Sequence, residues 1–183
     1  MGKKPGTLAM PSQQQASNTP LEERNLWRTP LYVFRWAEWM WGPFDVDLAA
    51  DADNALCEQY ITREENALSK SWGSYGRTGW CNPPYDNIEP WILKAALERR
   101  HGFTTVLLIP AFNGEVYHQT TFDEAGAIRF IVGRLGFHRP SGEPVQGNTR
   151  GSMLALFLAG KVPQSIKAIT REQMQTDPIR SLL

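Results

Sequence analysis

Thr104–Pro110 reads Thr-Thr-Val-Leu-Leu-Ile-Pro, an apolar run with no alternation between a wet and a dry side. A strand of that kind belongs in a sheet covered on both faces. The segment before it tightens the constraint. Ile88, Trp91, Ile92, Ala95 and Ala96 fall at i, i+3, i+4, i+7 and i+8, the core-facing stripe of a helix. Asp86 and Glu89 have capping-box spacing at its start, and Gly102 closes it. Ahead of that helix, Thr78-Gly79-Trp80-Cys81 is short and apolar and reads as another strand. Strands alternating with helices predict an α/β fold with a mostly parallel sheet and flanking helices.

The remaining chain extends this pattern. Thr29-Pro30 predicts a helix start, with Thr as N-cap and Pro at the first helical position. Leu31, Phe34, Ala37 and Trp41 give that helix one apolar stripe, and Gly42-Pro43 stops it. Residues 44–48 alternate as a short strand, and 55–60 hold a turn or another short strand. Residues 128–132 and 153–158 are further strands. Between them, 133–151 is rich in Gly, Pro and Arg and reads as a long loop or hairpin. Residues before about position 24 are rich in Ser, Gln, Asn, Pro and Gly without periodicity, the composition of a disordered arm. The expected organisation is an arm over 1–25, one domain over 26–170 and a tail over 171–183.

A chain of 183 residues suits one such domain. It has no apolar run of about 18 residues, so no membrane span is expected, and its first residues lack the apolar core of a signal peptide. Cys57 and Cys81 are the two cysteines, and neither they nor the three histidines have metal-ligand spacing. Reduced thiols, a cytoplasmic location and no metal are the expectation. A formal net charge of zero argues against a plainly basic nucleic-acid binder. The distribution is uneven, however: residues 129–183 carry eight Lys/Arg against three acids, and the rest holds the compensating acidic surplus. Such a split lets a phosphate backbone approach from one side, although chance clustering on a mixed surface accounts for it equally well.

Asn82-Pro83-Pro84-Tyr85 stands where the Thr78–Cys81 strand ends, and ligands in open α/β sheets sit at the carboxyl ends of strands. The exocyclic amino group of a nucleobase is a poor nucleophile because its lone pair is delocalised into the ring. Two acceptors aimed at its hydrogens free that pair. Asn82 offers a side-chain carbonyl and Pro83 a backbone carbonyl without a competing N–H. Pro84 helps stiffen the turn, so the acceptors need little reorganisation, and Tyr85 presents a flat face for a base. Asn-Pro and Pro-Pro are also ordinary turn punctuation, and a tyrosine near a turn often only packs.

Taken in order, Trp27-Arg28-Thr29-Pro30, the stretch from Phe44 to Asp51, Asn66-Ala67-Leu68 with Trp72, Trp80 to Tyr85, Leu107 to Ala111, Gly133-Arg134-Leu135 and Gly151 to Leu154 resemble the phage-type DNA N-6-adenine methyltransferase (Dam) family. The likeness spans roughly 26–160. It implies a Rossmann-like methyltransferase fold, S-adenosylmethionine as methyl donor and adenine in double-stranded DNA as acceptor. Two features depart from the wider pattern. No Gly-rich loop follows the first strand, where this chain has Ala49-Ala50-Asp51-Ala52-Asp53, and Asp47-Leu48 stands where Asp-Pro is usual.

Within that resemblance, Asn82 and Pro83 are the amino-group acceptors and Tyr85 the stacking platform. The free N–H groups of the helix begun by Thr29-Pro30 suit the donor's carboxylate, with Trp27 beside them. Asp47, Ala49 and Asp51 are expected at the donor's ammonium group, with orientation of the loop as the alternative for the two carboxylates. Glu65 and Asn66 are candidates for its adenine or ribose, with capping as their other reading. Arg134, His138, Arg139 and Arg150 are the expected DNA contacts. The target adenine must leave the duplex stack to reach such a turn. Rival acceptors are cytosine N4, an RNA base or a protein glutamine, and a catalytically silent DNA-binding relative is the rival from another class. A monomer in the host cytoplasm is expected.

Overall fold

The computed structural model describes residues 25–111, 117–145, 150–160 and 164–180. The arm expected over 1–25 therefore lies almost wholly outside the described residues. In chain order the elements are α1 (Leu31–Trp41), β1 (Val46–Asp47), β2 (Gln59–Tyr60), two short 3₁₀ turns (Ala67–Ser69 and Trp72–Tyr75), β3 (Thr78–Cys81), α2 (Glu89–Arg100), β4 (Thr104–Pro110), α3 (Tyr117–Glu124), β5 (Ala127–Val132), β6 (Ser152–Phe157), β7 (Ser165–Thr170) and α4 (Arg171–Arg180).

The seven strands form one sheet in the order β2-β1-β3-β4-β6-β5-β7. Every neighbouring pair is parallel except those made by β6, which runs antiparallel to both β4 and β5. The fold is thus the mostly parallel, Rossmann-like arrangement expected. All seven residues of β4 are buried. Val106 and Leu108 join Trp80, Leu154 and Leu156 in the core beneath α1 and α4. Leu107 and Ile109 point the other way and join Cys81, Met153 and Ala155 beneath α2. One apolar strand thereby stitches two cores into a three-layer sandwich.

Helix α2 follows its predicted stripe, with Ile92, Ala95 and Ala96 buried. Its end is a Schellman motif. Gly102 adopts φ +91°, its N–H donates to the Arg99 carbonyl, and the Phe103 N–H reaches back to the Glu98 carbonyl at 3.0 Å. Its beginning differs from expectation. Ile88, in helical geometry, occupies the cap with no side-chain cap bond, and the Asp86 carboxylate instead accepts from Asn25 Nδ2 at 2.9 Å. Capping boxes form elsewhere. Thr62 and Glu65 exchange side-chain-to-backbone bonds of 3.3 and 3.0 Å, and Thr170 and Gln173 do the same at 3.1 and 2.9 Å.

The first helix also departs from the predicted start and stripe. Pro30 is the cap rather than the first helical residue, and no side chain caps the helix, so Thr29 does not serve as N-cap. Val33, Phe34, Trp36 and Ala37 are its buried face, while Leu31 is 47% exposed. The rotation has a cause that the periodicity did not contain. Residues 171–180, read from the sequence as part of a tail, are helix α4 packed on α1. Met174 is buried there, and Trp36 Nε1 donates to Asp177 Oδ2 at 3.2 Å. Truncating Met174 to Ala should cost about 2–5 kcal/mol of folding stability by chemical denaturation. A change within a few tenths would show that α4 contributes nothing to the core.

Candidate functional site

The ends of β1 and β3 lie side by side because Asp47 pairs in register with Trp80. Leu48 N–H then donates to the Trp80 carbonyl at 2.9 Å, and Ile61 N–H to the Asp47 carbonyl at 2.9 Å. Three stretches singled out from the sequence therefore meet at one edge of the sheet: the loop after β1, the turn after β2 and Asn82 to Tyr85.

Asp47 is 3% exposed. Its Oδ1 accepts the Ala49 N–H at 3.3 Å and its Oδ2 the Leu56 N–H at 3.2 Å. Burial pushes its pKa up to about 6, against the lowering effect of those two bonds. No Lys or Arg lies within ion-pair distance of it among the described residues. The carboxylate thus folds the loop that lacks glycines around itself and keeps an unneutralised charge at the strand end. Asp51 is exposed and turns the same loop: its N–H donates to Asn54 Oδ1 at 2.7 Å, and its carbonyl accepts from Asn54 and Ala55. Glu65 is fully exposed and caps the Thr62 N–H, a bond that holds its carboxyl below the usual range. Asn66 beside it is in the left-handed region at φ 56°, a conformation Asn tolerates better than most residues.

At the other strand end, Asn82 Nδ2 faces the Trp27 carbonyl at 3.5 Å. A carbonyl only accepts, so this contact sets the amide's orientation and leaves Oδ1 as the free acceptor. That Oδ1 is buried without a hydrogen-bond partner among the described residues, as are the Tyr85 hydroxyl and Trp27 Nε1. Pro83 is buried and Pro84 half-buried. Burial drives the Tyr85 hydroxyl pKa well up, with Tyr117 adding to it. Phe137 sits between the two aromatic residues, stacked on Trp27 at 5.7 Å and edge-on to Tyr85 at 6.1 Å.

Phe137 and Asn25 escaped the sequence reading, and both act through contacts far apart in the chain. Asn25 Oδ1 accepts the Tyr85 N–H at 3.1 Å while its Nδ2 holds Asp86, so one side chain clamps the end of the Asn-Pro-Pro-Tyr turn. Arg28 forms an antiparallel bridge with His138, through backbone bonds of 2.8 and 3.1 Å. The stretch from Asn25 to Arg28 therefore joins the turn to the loop after β5. In that loop Arg139 and Glu143 close a tight turn, and Val145 N–H returns to the Phe137 carbonyl at 2.7 Å. Arg134, Arg139 and Arg150 are exposed and His138 is half-buried. All four lie in the stretch between β5 and β6, with His138 next to the residue that stacks on Trp27.

Removing the clamp should loosen the turn without unfolding the domain. Asn25→Ala is expected to speed hydrogen exchange at the Tyr85 amide by about fivefold or more, corresponding to loss of a bond worth about 1 kcal/mol. Unchanged exchange would show that the turn is rigid without it.

Residues 16–179 match the model of the family described as DNA N-6-adenine-methyltransferase (Dam). Among individual proteins, the chain is 31% identical over 159 residues to the DNA N-6-adenine-methyltransferase of Escherichia phage T1, covering 78% of this chain and 66% of that protein. It is 34% identical over 145 residues to the protein of the same name from Haemophilus phage HP1 (strain HP1c1), covering 77% of this chain and 83% of that protein.

Proposed function

The chain belongs to the DNA N-6-adenine-methyltransferase (Dam) family, and we propose that it transfers a methyl group from S-adenosylmethionine to the N6 amino group of an adenine flipped out of duplex DNA. The observation that carries this reading is the enclosed, unpartnered Oδ1 of Asn82. An acceptor left unsatisfied in a folded protein costs about 1–3 kcal/mol, and an amino group presented at this turn supplies the missing hydrogen.

Asn82 Oδ1 and the Pro83 carbonyl take the two N6 hydrogens, so the nitrogen moves toward tetrahedral geometry and its lone pair is released. The donor supplies an electrophilic methyl on a sulfonium centre. As the nitrogen–methyl bond forms, the methyl–sulfur bond would break and the sulfur would leave as a neutral thioether; the proton leaves the nitrogen afterwards, so no general base is needed before attack. Pro84 keeps the turn stiff. Tyr85 receives the flipped base on its ring, and stacking of about 1–3 kcal/mol offsets part of the cost of unstacking it.

For the donor, the buried Asp47 carboxylate suits an ammonium group, since it is charged, enclosed and without a cation of its own. Ala49 and Asp51 border it. Pro30 leaves the first N–H groups of α1 without a side-chain cap, so they fit the donor's carboxylate, with Thr29 and Trp27 at the approach. Glu65 and Asn66 face the donor's ribose and adenine side. Arg134, His138, Arg139 and Arg150 contact the duplex.

The decisive assay is transfer of labelled methyl to unmethylated duplex DNA, followed by nucleoside digestion and mass spectrometry. N6-methyladenine is expected. N4-methylcytosine, or donor binding with no methylated nucleoside, would overturn the proposal. In the same assay Asn82→Ala should lose on the order of 100-fold in turnover, about 3 kcal/mol of barrier, and Tyr85→Ala should slow transfer strongly. Donor binding should persist in both, and equal loss of binding and transfer would refute this division of labour.

Asp47 adds a pH signature. Its folded pKa is raised, so the native state holds the proton more readily than the unfolded chain, and the stability this contributes disappears as pH rises from about 4 to about 6. Binding an ammonium group needs the carboxylate form. Donor affinity by calorimetry should therefore rise about tenfold from pH 5 to pH 7 and then level off. Asp47→Asn should flatten the profile, whereas a wild-type profile that is already flat would place the ammonium elsewhere.

A further inference from the structure

Resting on that reading, we infer that Arg171, at the start of α4, joins Arg134 to form a two-guanidinium clamp for a backbone phosphate of the bound DNA. Arg171 crosses the chain at Gly133. A Cβ built on that glycine, whose φ is +85°, would lie 3.4 Å from both Nε and Nη2 of Arg171. Arg171 Nη1 donates to the Arg134 carbonyl at 3.2 Å, which locks the two residues together while leaving most of the Arg171 fork free. The Arg134 guanidinium lies along the next chain: a Cβ on Gly151 would be 3.4 Å from its Nη1 and 3.5 Å from the Cβ of Ala111. Ala111 is the residue that follows β4, and its N–H is fixed to the Gly151 carbonyl at 2.9 Å. Arg134 thus reaches toward the end of β4, the strand that flanks β3, while Arg171 stands at the end of β5.

Neither guanidinium has a carboxylate within 4 Å among the described residues, although three other Lys/Arg side chains do. Of the two acids of α4, Glu172 makes no ion pair with either guanidinium and Asp177 accepts from Trp36 Nε1. Arg171 also stands in the first turn of a helix, where the macrodipole disfavours a positive charge. Two exposed guanidiniums lying along the backbone at glycines, without a carboxylate partner among the described residues, leave donors open to an anion. They match the bidentate, sequence-independent demands of a phosphodiester. Arg171 also acts on Tyr32 in the first turn of α1, which brings it near the helix start assigned above to a carboxylate. The test therefore has to separate the two anions.

Anisotropy of a labelled mixed-sequence duplex, titrated at several salt concentrations, reads the contact directly. Arg171→Gln and Arg134→Gln should each weaken binding about eightfold near 0.1 M salt and lower the slope of log K against log salt by about one. Arg171→Lys should keep the slope. Melting temperature and S-adenosylmethionine affinity should stay at wild-type values. A wild-type salt slope in Arg171→Gln would overturn the clamp, and so would loss of donor affinity with the slope unchanged, which would assign the pair to the donor's carboxylate. Absence of methyl transfer in the unmodified protein, with salt slopes that still respond to both arginines, would sink the catalytic reading and support the clamp.

Discussion

Burial of β4 on both faces is the constraint from which the rest of the structure follows. A strand with seven buried residues needs a hydrogen-bonding neighbour on each side and an apolar layer above and below. It finds β3 in parallel on one side and β6 antiparallel on the other. Since Cys81 pairs with Leu107, β4 runs on beside the turn that begins at Asn82 and gives it a fixed wall. The close approach at Gly79 is part of the same fit. A Cβ there would fall 2.9 Å from the Phe103 ring and 3.0 Å from Leu48 Cδ1, so a glycine lets β1, β3 and the end of α2 pack together. The Asn-Pro-Pro-Tyr turn is therefore backed by buried strands, which is the support that preorganised acceptors require.

The elements legible in the sequence were those whose signal is local and whose environment is uniform. Thr78–Cys81 and Thr104–Pro110 coincide with β3 and β4, because an unbroken apolar run reads the same whichever neighbours cover it. Helix α2 was legible because Ile92, Ala95 and Ala96 stay on the one stripe although both β4 and α3 pack on it. The buried face of α1 was not, since α4 covers it beside the sheet and Val33 and Trp36 are buried as well. Strand β7 has mainly exposed residues and α3 only two buried ones, His118 and Thr121, so neither carries a clear period. A usable signal did exist for α4, in the capping box of Thr170 and Gln173. Asp86 and Glu89 show the converse, where good spacing lost to a competing partner, Asn25.

For the site, chemistry was more legible than geometry. Asn82, Asp47 and Trp27 stand out by residue type at strand ends, and the structure brings Asn82 and Trp27 into contact and sets Asp47 on the adjoining strand. What holds them was hidden, because Asn25 reaches Tyr85 across 60 positions of chain and no pattern within a window records such a contact. The missing Gly-rich loop has a physical substitute. A glycine loop exposes N–H groups by bending tightly, whereas here the Asp47 carboxylate gathers the Ala49 and Leu56 N–H groups and shapes the loop from inside. The cost is a buried charge, visible in its raised pKa. That cost falls when a cation binds beside it, which is what suits Asp47 to the ammonium contact proposed for it.

The same logic extends to the aromatic cluster. Trp27 Nε1, Asn82 Oδ1 and the Tyr85 hydroxyl are three enclosed polar atoms without partners, linked through Phe137 and the Trp27 carbonyl. Each unmade bond costs about 1–3 kcal/mol, and apolar isosteres at these positions would remove the penalty. Polar groups concentrated at one strand end against that cost are expected where function, rather than folding, selects the residue. Phe137 ties this cluster to the chain after β5. It belongs to the loop that bears His138 and Arg139, yet its ring fills the space between Trp27 and Tyr85. The loop and the Asn-Pro-Pro-Tyr turn are thereby joined through a single buried side chain.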